Sequence, residues 1–142
     1  MVIRPAHADE RAMLIDLQRA ASLMHADSRA ALLAHPEAID LPAAHLPHTI
    51  VAERDGAVIG FAVTLPIDAG HAELDGLFVA PDVWRSGAGR ALVALAGHDR
   101  VLSVVANPNA LPFYQRCGFI ETGSTATRFG PAVTMTRPRG AI

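Results

Sequence analysis

One segment of the sequence, His71 to Gly97, constrains the fold more than any other. His71–Val79 is a predicted strand, closed by Ala80-Pro81-Asp82, and a glycine-rich stretch that includes Gly87-Ala88-Gly89 leads from it into the apolar helical run Ala91–Ala96. A glycine-rich loop at a helix start presents bare backbone N–H groups, which bind anions. Two glycines before a helix also occur in plain tight turns, so the rest of the chain must decide between a turn and a phosphate site.

Two common phosphate-binding folds do not fit this segment. A dinucleotide-binding fingerprint needs a glycine directly after the first strand and a third glycine where Leu92 stands. A Walker loop needs a lysine, and the chain has none, since all 12 of its Lys+Arg residues are arginine. The lack of lysine also excludes Schiff-base chemistry on a lysine side chain.

The N-terminal half alternates between helical and strand patterns. Val2–Pro5 is a predicted strand, and apolar residues at helical spacing after Asp9-Glu10 predict an amphipathic helix. A second helix is predicted over Ser28–Ala34, and a polar loop that could form a lid over Pro36–His48. The period then changes to that of strands, and Asp55-Gly56 is the favoured two-residue turn of a hairpin. The strands of that hairpin are predicted at Thr49–Arg54 and Ala57–Thr64.

The C-terminal part repeats the order of strand and helix and ends in a hairpin. The pattern predicts a strand over Arg100–Ala106, a helix from Ala110 to about Arg116 that Gly118 ends, and a last hairpin across Gly130-Pro131. The strands of that hairpin are predicted at Ser124–Arg128 and Ala132–Thr136. We find no internal repeat or linker, so the sequence predicts a single domain over residues 1–142, of α/β class with a mixed sheet.

Composition narrows the class of protein. Apolar residues make up 51% and charged residues 18%, which suits a folded core rather than disorder. A net charge of −2 argues against nonspecific binding to nucleic acid or a membrane. The one cysteine, Cys117, forms no internal disulfide, and the seven scattered histidines show no metal-ligand spacing, so no metal is predicted. No signal peptide or membrane span is evident, which predicts a cytoplasmic protein.

Two motifs together carry a resemblance to a known family. The stretch Leu77–Asp82 with Trp84–Leu92 resembles the acetyl-CoA motif of the GNAT N-acetyltransferase superfamily, written Gln/Arg-x-x-Gly-x-Gly/Ala. The stretch Asn107–Phe119 resembles the family's Asn-x-x-Ala-x-x-Phe-Tyr-x-x-x-Gly-Phe segment. The resemblance covers nearly the whole chain and implies the family's acyl-CoA N-acyltransferase fold, a mostly antiparallel central sheet flanked by helices. Trp84 departs from the motif's leading Gln/Arg, which puts one side-chain contact to the phosphates in doubt.

The resemblance implies acetyl-CoA as cosubstrate, lying across the splayed ends of the strands Leu74–Val79 and Val101–Ala106. The pantetheine arm would pair with strand backbone, the pyrophosphate would lie on loop amides, and Asn107 would hydrogen-bond the cofactor. The cofactor-binding residues are thus expected to be Leu77, Phe78, Val79, Arg85, Ser86, Gly87, Ala88, Gly89, Arg90 and Asn107.

Acyl transfer to an amine calls for an acid and a base. Tyr114, the only tyrosine, falls on the family's position for protonating the CoA sulfur. Glu73 falls where some members carry a glutamate base; Asp75 and His71 share its strand parity, and deprotonation through water is a further alternative. Cys117 is interpreted as a small core residue rather than a nucleophile.

The sequence therefore predicts an N-acetyltransferase that transfers acetyl from acetyl-CoA directly to a primary amine, with a small molecule as the expected acceptor. An acetyltransferase acting on a protein N-terminus, a non-catalytic acyl-CoA-binding module and a nucleotide-binding regulatory domain are the alternatives. The acceptor is expected to be shaped by residues 21–48 and by the last hairpin around Arg128 to Pro131. An exposed edge strand near the C-terminus would permit a homodimer.

Overall fold

The computed structural model describes residues 1–23, 26–83, 85–127 and 130–141. The strands are β1 (Val2–Pro5), β2 (Thr49–Arg54), β3 (Ala57–Asp68), β4 (His71–Val79), β5 (Val101–Ala106), β6 (Ile120–Thr127) and β7 (Gly130–Arg137). The α-helices are α1 (Arg11–Ser22), α2 (Ala26–Ala34), α3 (Ala88–Ala96) and α4 (Leu111–Arg116).

Within the described ranges the strands form one seven-stranded sheet in the order β1-β2-β3-β4-β5-β7-β6. The pairs β1/β2, β2/β3, β5/β7 and β6/β7 are antiparallel, whereas β4 and β5 are parallel. The ladder between β4 and β5 joins His71–Glu73 to Val101–Ser103, and β4 continues six residues beyond it. A mixed, mostly antiparallel sheet flanked by helices confirms the predicted fold class.

The chain divides into two compact units, Met1–Val63 with Gly76–Leu92 and Thr64–Asp75 with Val93–Ile142. The core of the first unit includes Leu14, Val51, Phe61 and Leu92, whose exposed fractions are all 0%. The core of the second includes Ala72, Leu102, Met135 and Cys117, which are at most 3% exposed. The single domain over residues 1–142 stays a prediction.

An ion-pair cluster fixes the first strand in the first unit. Arg4 donates from both terminal nitrogens to the Glu10 carboxylate at 2.9 and 2.8 Å, and from Nη2 to Glu53 at 3.4 Å. The bidentate Arg4 guanidinium, followed by the His7 amide, lowers the pKa of Glu10 to about 2. Strand β1 is thereby joined both to the turn before α1 and to β2.

The first hairpin turns as the sequence predicts. Asp55 and Gly56 have φ of 53° and 81°, the paired left-handed residues of a type I′ turn. Strand β3 is four residues longer than predicted and ends at Asp68. Its far turn is closed by Asp68, whose Oδ1 accepts from the Gly70 amide at 2.9 Å and lies 2.8 Å from His71 Nδ1.

The prediction of a polar loop over Pro36–His48 is wrong in part. Two short 3-10 helices, Pro36–Ala38 and Ala43–His48, occupy much of the segment, and Ile39 and Leu41 between them are buried. Arg11 Nε donates to Leu41 O at 2.6 Å, and Thr49 Oγ1 donates to His45 O at 2.8 Å. Buried apolar side chains and these hydrogen bonds hold the segment against α1 and β2, which does not favour a freely moving lid.

Other boundaries shift by a few residues. Helix α2 begins at Ala26 rather than Ser28, and α3 begins at Ala88 rather than Ala91 because the glycine-rich stretch itself enters the helix. A 3-10 turn, Pro108–Ala110, replaces the predicted start of α4. The last hairpin is predicted across Gly130-Pro131, but both residues already belong to β7.

Strand β6 lies at one edge of the sheet, and all eight of its residues are exposed. This agrees with the edge strand expected near the C-terminus, while the homodimer remains a prediction. None of the helices in the described ranges is long and apolar enough to cross a membrane.

Candidate active site

Strand β4 carries its acidic residues on one face. Ala72 and Leu74 are 0% and 2% exposed, whereas Glu73 is half-buried and Asp75 is exposed, as a period of two requires. Glu73 lies opposite Ser103 of β5 and makes no hydrogen bond or ion pair with another described residue. His71 shares the parity but pairs with Asp68 in the turn. Of Glu73, Asp75 and His71, Glu73 is therefore the residue that neither pairs with Asp68 in the turn nor is exposed.

The end of β4 turns its backbone groups alternately to its two edges. Ala80 N donates to Ile59 O at 2.8 Å, and Phe78 O lies against Gly60, so both groups face β3. Since successive residues of a strand direct their N–H and C=O groups to opposite edges, those of Leu77 and Val79 point away from β3. These are the two residues expected to pair with the pantetheine arm.

The glycine-rich loop enters α3 through left-handed backbone. Arg85 and Gly87 have φ of 67° and 90°, and α3 starts at the next residue, Ala88. The amide of Ala88 has a long contact of 3.4 Å to Ser86 Oγ, and the first intrahelical bond is Ala91 N to Gly87 O at 3.0 Å. The amides of the first turn therefore lack helical acceptors, and the helix dipole places partial positive charge there.

Side chains around the same loop divide into buried and exposed sets. Ala88 and Gly89 are buried, which fixes the helix start, whereas Arg85 and Arg90 are exposed on either side of it. The loop can therefore offer backbone donors with two guanidinium groups beside them, an arrangement that suits a pyrophosphate. Trp84, the departure from the motif, lies outside the described residues.

The second strand-to-helix connection is capped by a side chain. Asn107, directly after β5, accepts from Asn109 N at 2.9 Å through Oδ1 and starts the 3-10 turn. Its side-chain NH₂ group makes no hydrogen bond within the described parts of the chain. Gly118, with φ of 92°, ends α4, and Phe119 N donates to Tyr114 O at 3.0 Å.

Tyr114 stands in the middle of this short helix. Its ring packs edge-on against Phe113 and Phe119, with both centroid distances at 5.2 Å. Burial, with a smaller contribution from Cys117, raises the pKa of Tyr114 well above its ordinary value, so the phenol stays protonated at neutral pH. The hydroxyl has no hydrogen-bond partner among the described residues and is available as a donor.

A family model described as the acetyltransferase (GNAT) family matches residues 14–119 of the sequence. The chain belongs to this family. The match spans both motifs described above, and the resemblance predicted from them is confirmed. The protein is an acyltransferase, and its cosubstrate is an acyl-CoA. No curated protein matches the sequence.

Solved structures of GNAT proteins share the fold. A PaiA N-acetyltransferase from Thermoplasma acidophilum in complex with coenzyme A is 16% identical, covers 96% of this chain and 98% of its own, and gives a TM-score of 0.76. An aminoglycoside 6′-N-acetyltransferase complexed with coenzyme A is 16% identical over 96% of both chains, with a TM-score of 0.72. A ribosomal-protein-alanine N-acetyltransferase from Brucella melitensis is 21% identical over 97% and 99%, with a TM-score of 0.68.

Two residues of this GNAT acetyltransferase that the sequence did not single out contact elements that carry the candidate site residues. Arg137 is 2% exposed and donates to Cys117 O at 2.8 Å, to Gly97 O at 3.2 Å and to Ala141 O. Burial lowers the pKa of Arg137, and the carbonyl groups at the ends of α3 and α4 supply the compensating partial negative charge. Gly60 lies against the end of β4. Neither has a local sequence signal, because each acts through residues distant in the chain.

The segments expected to shape the acceptor site are described in part. Residues 36–48 are held by Arg11 and by their own buried side chains, as described above. Arg128 of the last hairpin lies outside the described residues, and Gly130 enters β7 with φ of 116°. In the described ranges, no cluster of three or more His, Cys, Asp or Glu side chains is placed to hold a metal ion.

Proposed function

We propose that this GNAT protein is an acetyl-CoA-dependent N-acetyltransferase that transfers the acetyl group directly to the primary amine of a small molecule. The observation that carries the proposal is the start of α3, which follows the left-handed residues Arg85 and Gly87 and whose first amides lack helical acceptors. Such a helix start offers amides to a pyrophosphate, and the nearby end of β4 offers a strand edge to an amide-bearing arm. CoA contains both groups in that order.

In this proposal the cofactor binds mainly through main-chain atoms. Leu77 and Val79 pair with pantetheine as an added strand, with Phe78 between them fixed to β3. Ser86 N donates to Val83 O at 3.2 Å, so the amides from Gly87 to Arg90 receive the pyrophosphate, and the exposed Arg85 and Arg90 add charge at its rim. The NH₂ group of Asn107 donates to the cofactor while its Oδ1 keeps the cap.

The leaving group is assisted by Tyr114. Attack of a neutral amine on the thioester carbonyl forms the C–N bond, and the C–S bond then breaks with its electron pair on sulfur. A hydrogen bond from the Tyr114 hydroxyl stabilises that developing charge. Because an ordinary thiol has a lower pKa than this phenol, the hydrogen bond contributes more than complete proton transfer would.

The amine must lose a proton, and Glu73 is proposed to accept it. Its half-buried carboxylate on β4 has no other described partner. Asp75, two residues along the same face, or a water held by either carboxylate is the alternative base. Two carboxylates on one strand face also suit an acceptor that arrives as an ammonium ion.

The proposal is tested first by ligand-dependent thermal unfolding with acetyl-CoA, CoA, NADH and ATP at equal concentration. A ligand at 100 times its dissociation constant adds about 2.7 kcal/mol to the free energy of unfolding, so specific stabilisation by acetyl-CoA and CoA is expected. Equal stabilisation by ATP, or none by CoA, contradicts the proposal. Thiol release is then measured across small amines and peptides with a free N-terminus. Turnover of small amines alone supports the acceptor class, turnover of peptides indicates the N-terminal alternative, and binding without turnover indicates a non-catalytic module.

A further inference from the structure

Gly60 of β3 is the point at which three parts of the first unit meet. A Cβ built on Gly60 would lie 2.9 Å from Phe78 O, 3.3 Å from Val79 Cγ2 and 3.4 Å from Leu92 Cδ1. The first two atoms belong to the end of β4 and the third to α3. Because Gly60 lacks a Cβ, the end of β4 and a side chain of α3 can both pack closely against it.

The requirement for glycine here is one of space. Gly60 has no left-handed φ, so its backbone conformation is open to any residue. The tightest contact, at 2.9 Å, is with a main-chain oxygen, which cannot rotate away as a side chain can. A side chain at position 60 therefore has to displace the end of β4, and overpacking of this kind destabilises the fold.

The residues on either side of Gly60 hold the end of β4 closely. Ile59 O accepts from Ala80 N at 2.8 Å, and the Phe61 ring packs on the Phe78 ring with centroids 5.3 Å apart. Leu92 is completely buried, and Ala88, one turn earlier on the same helix face, is 1% exposed. The strand end and the start of α3 are therefore set relative to each other through the neighbourhood of Gly60.

We propose that Gly60 is a positioning residue for the cofactor: by lacking a side chain it fixes the spacing between the strand that receives pantetheine and the helix start that receives the pyrophosphate. This inference rests on the proposed function. CoA carries both groups on one covalent chain, so it binds with full affinity only if the two parts of its site keep the right separation. A fragment that uses only the helix start does not sense that separation.

The test uses titration calorimetry to compare binding of CoA with binding of its nucleotide half, which is ADP phosphorylated on the ribose and lacks pantetheine. The variants are Gly60→Ala and the matched control Gly70→Ala, since a Cβ at Gly70 meets nothing within 4 Å and needs no left-handed backbone. In Gly60→Ala we expect CoA to bind about tenfold more weakly, equal to about 1.4 kcal/mol, while the nucleotide half binds as in the wild type. In Gly70→Ala both affinities stay unchanged.

A second variant keeps the test valid if Gly60→Ala folds poorly. Gly60→Ala combined with Val79→Ala removes the Cγ2 contact of the new methyl group but retains its 2.9 Å contact with Phe78 O. It is expected to show the same selective loss of CoA affinity. A role in stability alone would lower the unfolding temperature without changing the ratio of the two affinities.

The outcomes separate this inference from the proposed function. If the wild type binds CoA and both position-60 variants keep the wild-type ratio of affinities, the role of Gly60 is overturned while the proposed function stands. If the wild type does not bind CoA, the proposed function fails and the role of Gly60 fails with it. A selective loss confined to the position-60 variants supports both.

Discussion

The two strand-to-helix connections of this acetyltransferase are built in opposite ways. From β4 to α3 the described residues include two with left-handed backbone, Arg85 and Gly87, and the first amides of the helix lack helical acceptors. From β5 to α4 the chain is capped by Asn107, continues through a 3-10 turn and reaches a six-residue helix that presents an aromatic hydroxyl.

In the proposed function the two connections supply different kinds of groups. The first would offer main-chain donors, so its role would depend on backbone conformation and tolerate changes of side chain. The second would offer particular side chains, so its role would depend on residue identity at one or two positions. Substitutions in the two connections should therefore fail in different ways, and variants of Tyr114, Gly87 and Asn107 test that contrast.

The largest effect is expected at the second connection from Tyr114→Phe. Removing the hydroxyl takes away the donor to the leaving sulfur, so kcat should fall about a hundredfold, the lower range for such catalysis, with the KM for acetyl-CoA unchanged. Stability should hold, because the hydroxyl has no partner among the described residues. Steady-state kinetics by thiol release measure both constants.

A swap of the hydroxyl controls for its position. In the double variant Tyr114→Phe, Phe113→Tyr a phenol returns one residue earlier, on a ring inclined at 73° to the first. No recovery of kcat is expected. Full recovery would show that the second connection does not depend on the identity of a single residue.

A smaller effect is expected at the first connection from Gly87→Ala. A Cβ there touches nothing within 4 Å, but φ of 90° is a left-handed conformation that costs an alanine about 1–2 kcal/mol. Affinity for CoA should fall about tenfold by calorimetry as the loop relaxes. Gly56→Ala is the matched control, with φ of 81° and equally open space in the first hairpin. It should lower the unfolding temperature and leave CoA affinity intact; equal losses in both variants would remove the special role of the loop.

Substitutions of Asn107 should separate the structural role of its side-chain oxygen from the binding role of its NH₂ group. Asn107→Ala loses the cap to Asn109 N and about 1 kcal/mol of stability. Asn107→Asp keeps the acceptor and the stability but loses the NH₂ donor. Both should bind CoA about fivefold more weakly, the effect of one hydrogen bond. Wild-type affinity in the Asp variant would mean that only the cap matters.

The smallest effect on function is expected far from both connections. Since Arg4 lowers the pKa of folded Glu10 to about 2, the carboxylate stabilises the fold fully above the ordinary glutamate pKa near 4.5. That stabilisation is lost as the pH falls from about 4.5 towards 2. Glu10→Gln should flatten the acid side of a plot of unfolding temperature against pH and leave kcat and CoA affinity at pH 7 unchanged. A change in CoA affinity would show that β1 influences the loop.

The sequence predicted those elements whose signals are local. The Asp55-Gly56 turn and the Gly118 stop need a left-handed backbone, which few residues adopt, and both were placed correctly. Segment 36–48 was predicted less well because its order comes from Ile39 and Leu41 inserting into the core and from Arg11, and short 3-10 turns have no long period to detect.

The same distinction holds at the candidate site. Tyr114, Asn107 and the glycine-rich loop can be proposed from the sequence because their motifs are contiguous. Arg137 and Gly60 cannot, because Arg137 bonds to Cys117, twenty residues away, and Gly60 acts through a Cβ that is missing. Glu73 and Asp75 were singled out together, and only the structure distinguishes their exposure.

Cys117 is only 3% exposed at the end of α4, so a reagent can reach its thiol only when the surrounding structure opens. A disulfide reagent added to the folded enzyme should detect released CoA without a background from the protein. In the absence of substrate, the rate at which that reagent labels the single sulfhydryl reports how often the second unit opens. Slower labelling in the presence of CoA would show that the bound ligand also reduces opening of the structure around α4.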